Sequence, residues 1–430
     1  MKLCIVNATV VGPDAILPRH GVIIEDDRIC AALPMEALGS LDGTGMRRID
    51  AGGACLMPGF IDIHSDYIEG ILQPRPTCLM DFEMGLREAE KQLLGHGVTT
   101  VYHSLSLMNG IGGKGGRNFR NRENLERLAD LIRDIHRDSH LIRHRFHARY
   151  EIDNLEIYDY LERLLEEGRV QELSFMDHTP GQGQYRDLAV YAASYGTWAA
   201  AYSEKTLGEI LAERQNKPVA SHEMLKRLSA LARKRGIPLA SHDDDSPEKA
   251  VFMKKEYGAG ISEFPVDLAT ARKAREEGFH IVVGAPNVIL GESHSGNLSA
   301  LEAIREGCAD ILCSDYYPAA LLHAVFRLEA EGIRSLPEAV RMLTLNPAQA
   351  VGIAGDYGSV EPGKKADLLL VRRVRGRPLI SACFIDGRKV LQFRYRFDQD
   401  CRSARSGYRP DNRRAASGEQ VPASGGVPRA

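Results

Sequence analysis

Six side chains able to bind a metal stand where short apolar runs break off. They are His64 and Asp66 in GFIDIHSD, Glu151 in FHARYE, His178 in LSFMDHTPG, His242 in PLASHDDD and Asp315 in ILCSDYYP. Imidazole and carboxylate donors suit first-row divalent cations such as zinc or manganese. Such an ion makes water a usable nucleophile near neutral pH, and a carboxylate within hydrogen-bond reach can take that water's proton. Taken singly, each His also reads as an ordinary buried histidine, and Asp315 as the N-cap of the helix predicted in YYPAALLHAVF. Their shared position at run ends favours one common centre, which is the pattern of a metal-dependent hydrolase.

The elements that must carry these groups are strands. Phe60–Ile63 and Ile311–Ser314 read as buried strands, and similar runs lie at 98–104, 145–150, 172–177, 237–241, 259–264 and 279–285. Helical patterns alternate with them, over Asn121–Arg137, Ile157–Gly168, His222–Gly236 and Pro247–Tyr257. Eight strand–helix units between residues 58 and 355 predict an α/β fold, a (β/α)8 TIM-like barrel. In such a barrel the strand ends converge on one face, where the six groups would meet. The β-rich segments 1–57 and 356–400, the latter with the turn Asp386-Gly387, predict a small β-sandwich formed by both chain ends. Residues 401–430, rich in Ser, Pro, Gly, Ala and Arg, read as a disordered tail. Two long insertions, Asn109–Arg122 and Gly181–Pro218, belong over the barrel mouth.

Composition narrows the function classes. Hydrophobic residues make up 43% and charged residues 26%, as in a soluble globular protein, and the net charge of −3 gives no reason to expect nucleic-acid binding. No apolar run approaches the roughly 18 residues of a membrane helix. The start, MKLCIVNATVVG, alternates as a strand does and lacks the pattern of a signal peptide. Eight scattered cysteines without a CxxC pair read as free thiols in a reducing compartment, so a cytoplasmic location is expected.

GFIDIHSD followed by QPRP, MDHTPGQ, ASHDD, SEFP, GAPN with SHSGN, SDYYPA with LNPAQA, and VEPGKKADLLLV together resemble the amidohydrolase superfamily. The resemblance is closer to one branch, the diphosphatases of the carbon–phosphorus lyase pathway, and covers roughly residues 1 to 395. Members of that branch act on ribose 1-methylphosphonate 5-triphosphate, releasing pyrophosphate and leaving the 5-phosphate. The resemblance thus implies a small phosphorylated-sugar substrate and divalent metal, zinc first with manganese or iron as alternatives, one or two ions per chain. It also implies that Asp315 both touches the metal and takes the water's proton. His64-Ser65-Asp66 stands where most members carry His-x-His, giving a more oxygen-rich site. Glu151 stands nearest to the modified lysine that bridges two metals in many members. A plain strand count puts Glu151, His178, His242 and Glu263 on the third to sixth strands, whereas the superfamily usually has its bridging group and two histidines one strand later. Either a strand escapes the count, or the site is rearranged with Glu263 as a further ligand.

Other residues have two readings each. Glu151 is a ligand or a strand-end carboxylate paired with Arg149; His147, on the same face of that strand, is a secondary candidate. Asp243 and Asp244 either orient His242 or are solvated loop acids. Lys114, Arg117 and Arg120 in the Gly-rich insertion form a triphosphate cradle or a flexible basic loop. Arg75, His294 and Asn297 are further phosphate or sugar contacts, and His294 and His103 read equally as ordinary hydrogen-bonded histidines. A cyclic-amide or N-acyl hydrolase is the rival enzymatic reading, since loops rather than the barrel select the bond. A non-enzymatic subunit that binds pathway proteins is the third. A homo-oligomer is compatible with all three.

Overall fold

The structure, a computed structural model, describes residues 2–38, 45–75, 78–107, 120–137, 139–183, 188, 206–293 and 296–395. Lys114, Arg117, His294, most of both insertions and the segment 401–430 lie outside the described residues.

Eight parallel strands form the barrel: β6 (Phe60–Ser65), β7 (Val98–Leu107), β8 (Arg143–Glu151), β9 (Glu172–Met176), β10 (Leu239–His242), β11 (Ile261–Glu263), β12 (His280–Gly284) and β13 (Ile311–Cys313). They pair in sequence order from β6 to β13. All but β8 and β12 are buried along their whole length, so short strands such as Ile311–Cys313 show no alternation of apolar and polar residues. Ile61, Ile63, Tyr102, Ile261, Val282 and Ile311 pack the barrel interior. A larger core, including Phe60, Phe82, Leu86, Leu128 and Leu161, lies between the strands and the surrounding helices. Those helices start on side-chain caps: Asp81, Asn121, Ser221 and Asp267 each accept a hydrogen bond from a first-turn backbone N–H.

The barrel closes through loop residues rather than a long β6–β13 ladder. Asp315 N–H donates to the His64 carbonyl at 3.0 Å, and Asp66 N–H donates to the Asp315 carbonyl at 2.7 Å. Beneath them Ser314 N–H donates to the Asp62 carboxylate at 3.0 Å, and the Ser314 and Ser65 hydroxyls bond at 2.8 Å.

Strands from the two chain ends form a second sheet. Its order is β16 (Arg388–Gln392), β15 (Arg377–Ile385), β14 (Leu368–Val374), β5 (Cys55–Pro58), β1 (Lys2–Val11), β2 (Ile16–Glu25) and β3 (Arg28–Pro34), with β4 (Arg47–Asp50) also on β1. The chain steps from this sheet into the barrel at Gly59, where a Cβ would stand 2.3 Å from the Thr99 side chain. At Asp386-Gly387 both residues have positive φ, as a two-residue hairpin requires. Among the described residues, no helix is long and apolar enough to cross a membrane.

Candidate active site

Each of the six predicted groups sits at or just past the carboxyl end of a barrel strand. His64 is on β6, with Asp66 following; Glu151 ends β8, His178 follows β9, His242 ends β10 and Asp315 follows β13. The β6–β7 register shifts between Asp62 and Ser65, a bulge that re-aims the side chains within it, His64 included. All six line one cavity of about 290 Å³. Ligand atoms of His64, Asp66 and Asp315 lie within 4.8 Å of one another, as do those of His178, His242 and Asp243. Glu151 pairs closely with His178 Nδ1. Asp243 Oδ2 lies 3.3 Å from His178 Nε2 and 2.9 Å from His242 Nδ1, so one carboxylate oxygen serves two imidazoles.

Three non-glycine residues here adopt left-handed backbone: Asp243 (φ 52°), Phe264 (φ 55°) and Asp315 (φ 54°). Such conformations cost roughly 1–3 kcal/mol each and persist where the surroundings dictate them. They turn the chain sharply off strands β10, β11 and β13 at the mouth.

Arg149, which the sequence offered only as a partner for Glu151, stands against Asp66 and His242 instead. Its Nη1 donates to both Asp66 oxygens at 2.8 Å, and its Nη2 lies 3.3 Å from His242 Nε2. Alternation along β8 puts His147, Arg149 and Glu151 on one face, which was the available signal.

The electrostatics are those of crowded buried carboxylates. Burial, then the neighbouring Asp66 carboxylate, pushes the Asp315 pKa up to about 7 against the opposing pull of Arg149. Burial alone would depress the His178 imidazolium, but Glu151 and Asp243 outweigh it and hold its pKa up to about 10. Asp66 is also raised by burial, yet Arg149 and His64 bring it below the ordinary carboxylate range. Buried carboxylates and imidazoles gathered on one cavity wall are a donor set that a divalent cation satisfies, and the residues therefore fit the metal expected of them.

The other predicted residues divide. Arg120 and Asn297 line the cavity, Arg120 while also bonding Glu69 at 2.8 Å. Arg75 is exposed after the helix Tyr67–Leu72 and does not line the cavity. His103 bonds His144 at 2.9 Å, in a buried cluster with Glu90 away from the cavity. Asp244 is no solvated acid: it is buried and accepts from the Ser241 and Ser262 hydroxyls at 2.5 and 3.2 Å. Glu263 accepts from His64 Nδ1 at 2.6 Å, and His147 lies deeper in the barrel. No strand escapes the sequence count: Glu151 ends the third barrel strand and Glu263 the sixth. Cavity-lining residues absent from the sequence reading include Ser106, Asn287 and Tyr316.

The amidohydrolase family model matches residues 207–390. Across 353 residues the chain is 34% identical to the alpha-D-ribose 1-methylphosphonate 5-triphosphate diphosphatase of Escherichia coli (strain K12), covering 80% of this chain and 90% of that protein. The chain belongs to the amidohydrolase family. It is 26% identical to an imidazolonepropionase of Porphyromonas gingivalis over 85% of this amidohydrolase and 84% of the relative. Among solved structures, molinate hydrolase superposes with a TM-score of 0.62 at 15% identity, over 90% of this chain and 94% of that one. N-acetylglucosamine-6-phosphate deacetylase from Pasteurella multocida superposes with a TM-score of 0.59 at 12% identity, over 90% and 99%. These superpositions carry the fold alone. Amidohydrolases are metal-dependent hydrolases, and among the described residues four clusters of His, Asp and Glu are spaced to hold an ion.

Proposed function

We propose that this amidohydrolase cleaves a phosphoanhydride bond of a ribosyl 5-triphosphate bearing a phosphonate at C1, leaving the 5-phosphate and releasing pyrophosphate. The observation that carries the reading is the meeting of His64, Asp66 and Asp315 within 4.8 Å on a cavity wall shared with Arg120. The Escherichia coli relative supports the choice of substrate. His64, Asp66, Glu151, His178, His242 and Asp315 would hold one or two divalent ions. When bound, such ions supply an activated water and neutralise phosphate oxygens.

The chain's own residues do the rest. Asp315 accepts the proton as water adds to the phosphorus nearest the ribose, and the bond from that phosphorus to the bridging oxygen breaks as pyrophosphate leaves. Asp315 is suited to this by position, its carboxylate standing on the cavity wall with His64 and Asp66. Arg120 faces the charge that develops on the phosphate oxygens, and Asn297 offers an amide to phosphate or sugar. Asp243 holds His178 and His242 in place, and Glu263 fixes His64 with Nδ1 protonated and Nε2 turned away.

The imidazolonepropionase relative favours one alternative, a cyclic-amide hydrolase. Arg120 on the cavity wall argues for phosphate instead. Purified chain supplied with zinc or manganese should release pyrophosphate rather than orthophosphate from a ribosyl triphosphate, and should leave cyclic amides intact. Asp315→Asn should lower kcat by about 10²–10⁴-fold. Orthophosphate as the product, or an undiminished Asp315→Asn, overturns the assignment.

A further inference from the structure

We propose that the barrel interior, beneath the mouth, holds a further divalent cation between His147, Glu172 and Glu263. Ligand atoms of these three fully buried residues lie within 4.8 Å of one another. Glu172 opens β9 with its side chain inside the protein, and neither of its carboxylate oxygens has a hydrogen-bond partner. Glu263 spends Oε1 on His64, while its Oε2 is likewise without one. Among the described residues, no lysine or arginine forms an ion pair with Glu172. Two buried carboxylates with three bare oxygens carry a desolvation cost of several kcal/mol per charge unless a counter-charge sits among them.

His147 is set up as a ligand. Its Nδ1 lies 3.1 Å from the Ile63 carbonyl, which can only accept, so the proton belongs on Nδ1 and Nε2 carries the lone pair. A backbone carbonyl on one ring nitrogen is the support that metal-binding histidines ordinarily have. Nε2 lies 4.0 Å from Glu263 Oε2 and 2.8 Å from the Ser174 hydroxyl, a further oxygen donor, while Glu172 Oε2 approaches the same ring from the Nδ1 side at 3.7 Å. Metal–ligand distances of about 2.0–2.2 Å require only that these groups draw in slightly. One imidazole with two carboxylates and a hydroxyl is a donor set for zinc, manganese or iron.

The competing occupant is a proton. Burial and the nearby Glu263 push the Glu172 carboxyl well above its ordinary range, which favours its protonated form. A single proton shared within the pair would engage two of the three bare oxygens and leave the third without a partner. A cation satisfies all the groups at once. Because Glu263 touches both His64 and the interior position, that ion would also hold His64 in register for the mouth.

The experiment uses the full chain, stripped with a chelator and reloaded with manganese. Crystals measured at the manganese edge should show an anomalous peak bounded by His147, Glu172 and Glu263, besides any at the mouth. Glu172→Gln should hold one ion fewer per chain by elemental analysis while the mouth peaks persist. Absence of the interior peak, with as many ions in Glu172→Gln as in the parent, overturns the proposal and assigns a proton to the carboxyl pair. Should Glu172→Gln fail to fold, the parent's anomalous map decides alone. Neither readout depends on the substrate, so failure here leaves the assigned reaction untouched.

Discussion

Asp243 offers a clean test of how the site is held together. One of its oxygens lies 2.9 Å from His242 Nδ1 and 3.3 Å from His178 Nε2. Asp243→Asn can keep an amide oxygen in the same place but removes the carboxylate charge that both imidazoles face. The charge assistance to the His178 hydrogen bond is lost, where a bond to a charged group is worth about 1.5–3 kcal/mol. Removing a carboxylate behind a metal-binding histidine ordinarily lowers metal affinity by about 10–100-fold, which at about 1.4 kcal/mol per decade gives the same range. The choice of Asn matters because φ at this position is 52°. Asn tolerates left-handed backbone nearly as well as Asp, whereas Ala there adds about 1–2 kcal/mol of strain and confounds the reading. Zinc titrated into chelator-stripped protein, in competition with a chromophoric chelator, measures the change directly. Affinity unchanged in Asp243→Asn would refute the role given to this carboxylate.

Arg143 at the start of β8 joins the barrel to the sheet made from the chain ends. It pairs closely with buried Asp367, reaches Asp386 at 2.6 Å and stacks over Tyr357 at 4.7 Å. Arg143→Met strands the Asp367 charge and should cost about 3–5 kcal/mol in urea unfolding; a loss below 1 kcal/mol counts against the pair as a clamp. Burial, reinforced by His144 and His140, lowers the His136 pKa to about 4, and burial lowers His144 and His103 as well. The folded chain therefore binds fewer protons than the unfolded one, so this contribution is complete above about pH 6.5 and is lost as pH falls towards 4. Urea midpoints should decline across that window, less steeply in His136→Gln, and equal midpoints at pH 7 and pH 5 would contradict the assignment.

The barrel was legible because short apolar stretches such as Ile281–Val283 and Ile311–Cys313 recur between helical patterns, even though strands such as Arg143–Glu151 carry many polar residues. The six mouth groups were legible because each stands at or just past the end of a barrel strand, where a metal-binding side chain is conspicuous. Arg149 was not. Its contacts with Asp66 and His242 join three strands, and no local pattern states which groups a guanidinium will meet. Glu172 was hidden differently: at the head of Glu172–Met176 it reads as a surface acid at a strand start, and only the closed barrel turns it inward. Asp244 looked like a loop acid because the serines that bury it, Ser241 and Ser262, belong to adjacent strands.

The stitch between first and last barrel strands joins residues such as Asp62 and Ser314, 252 positions apart. Its uppermost bonds are made by the backbones of His64, Asp66 and Asp315. Bringing such distant segments together is the slowest kind of step a folding chain takes. An ion gripped by those side chains would rivet the seam from above, stabilising the closed form by about 4 kcal/mol when present at 1,000 times its dissociation constant. The same cation that serves turnover would then act as the barrel's latch during refolding, so a chelator should slow assembly as well as chemistry.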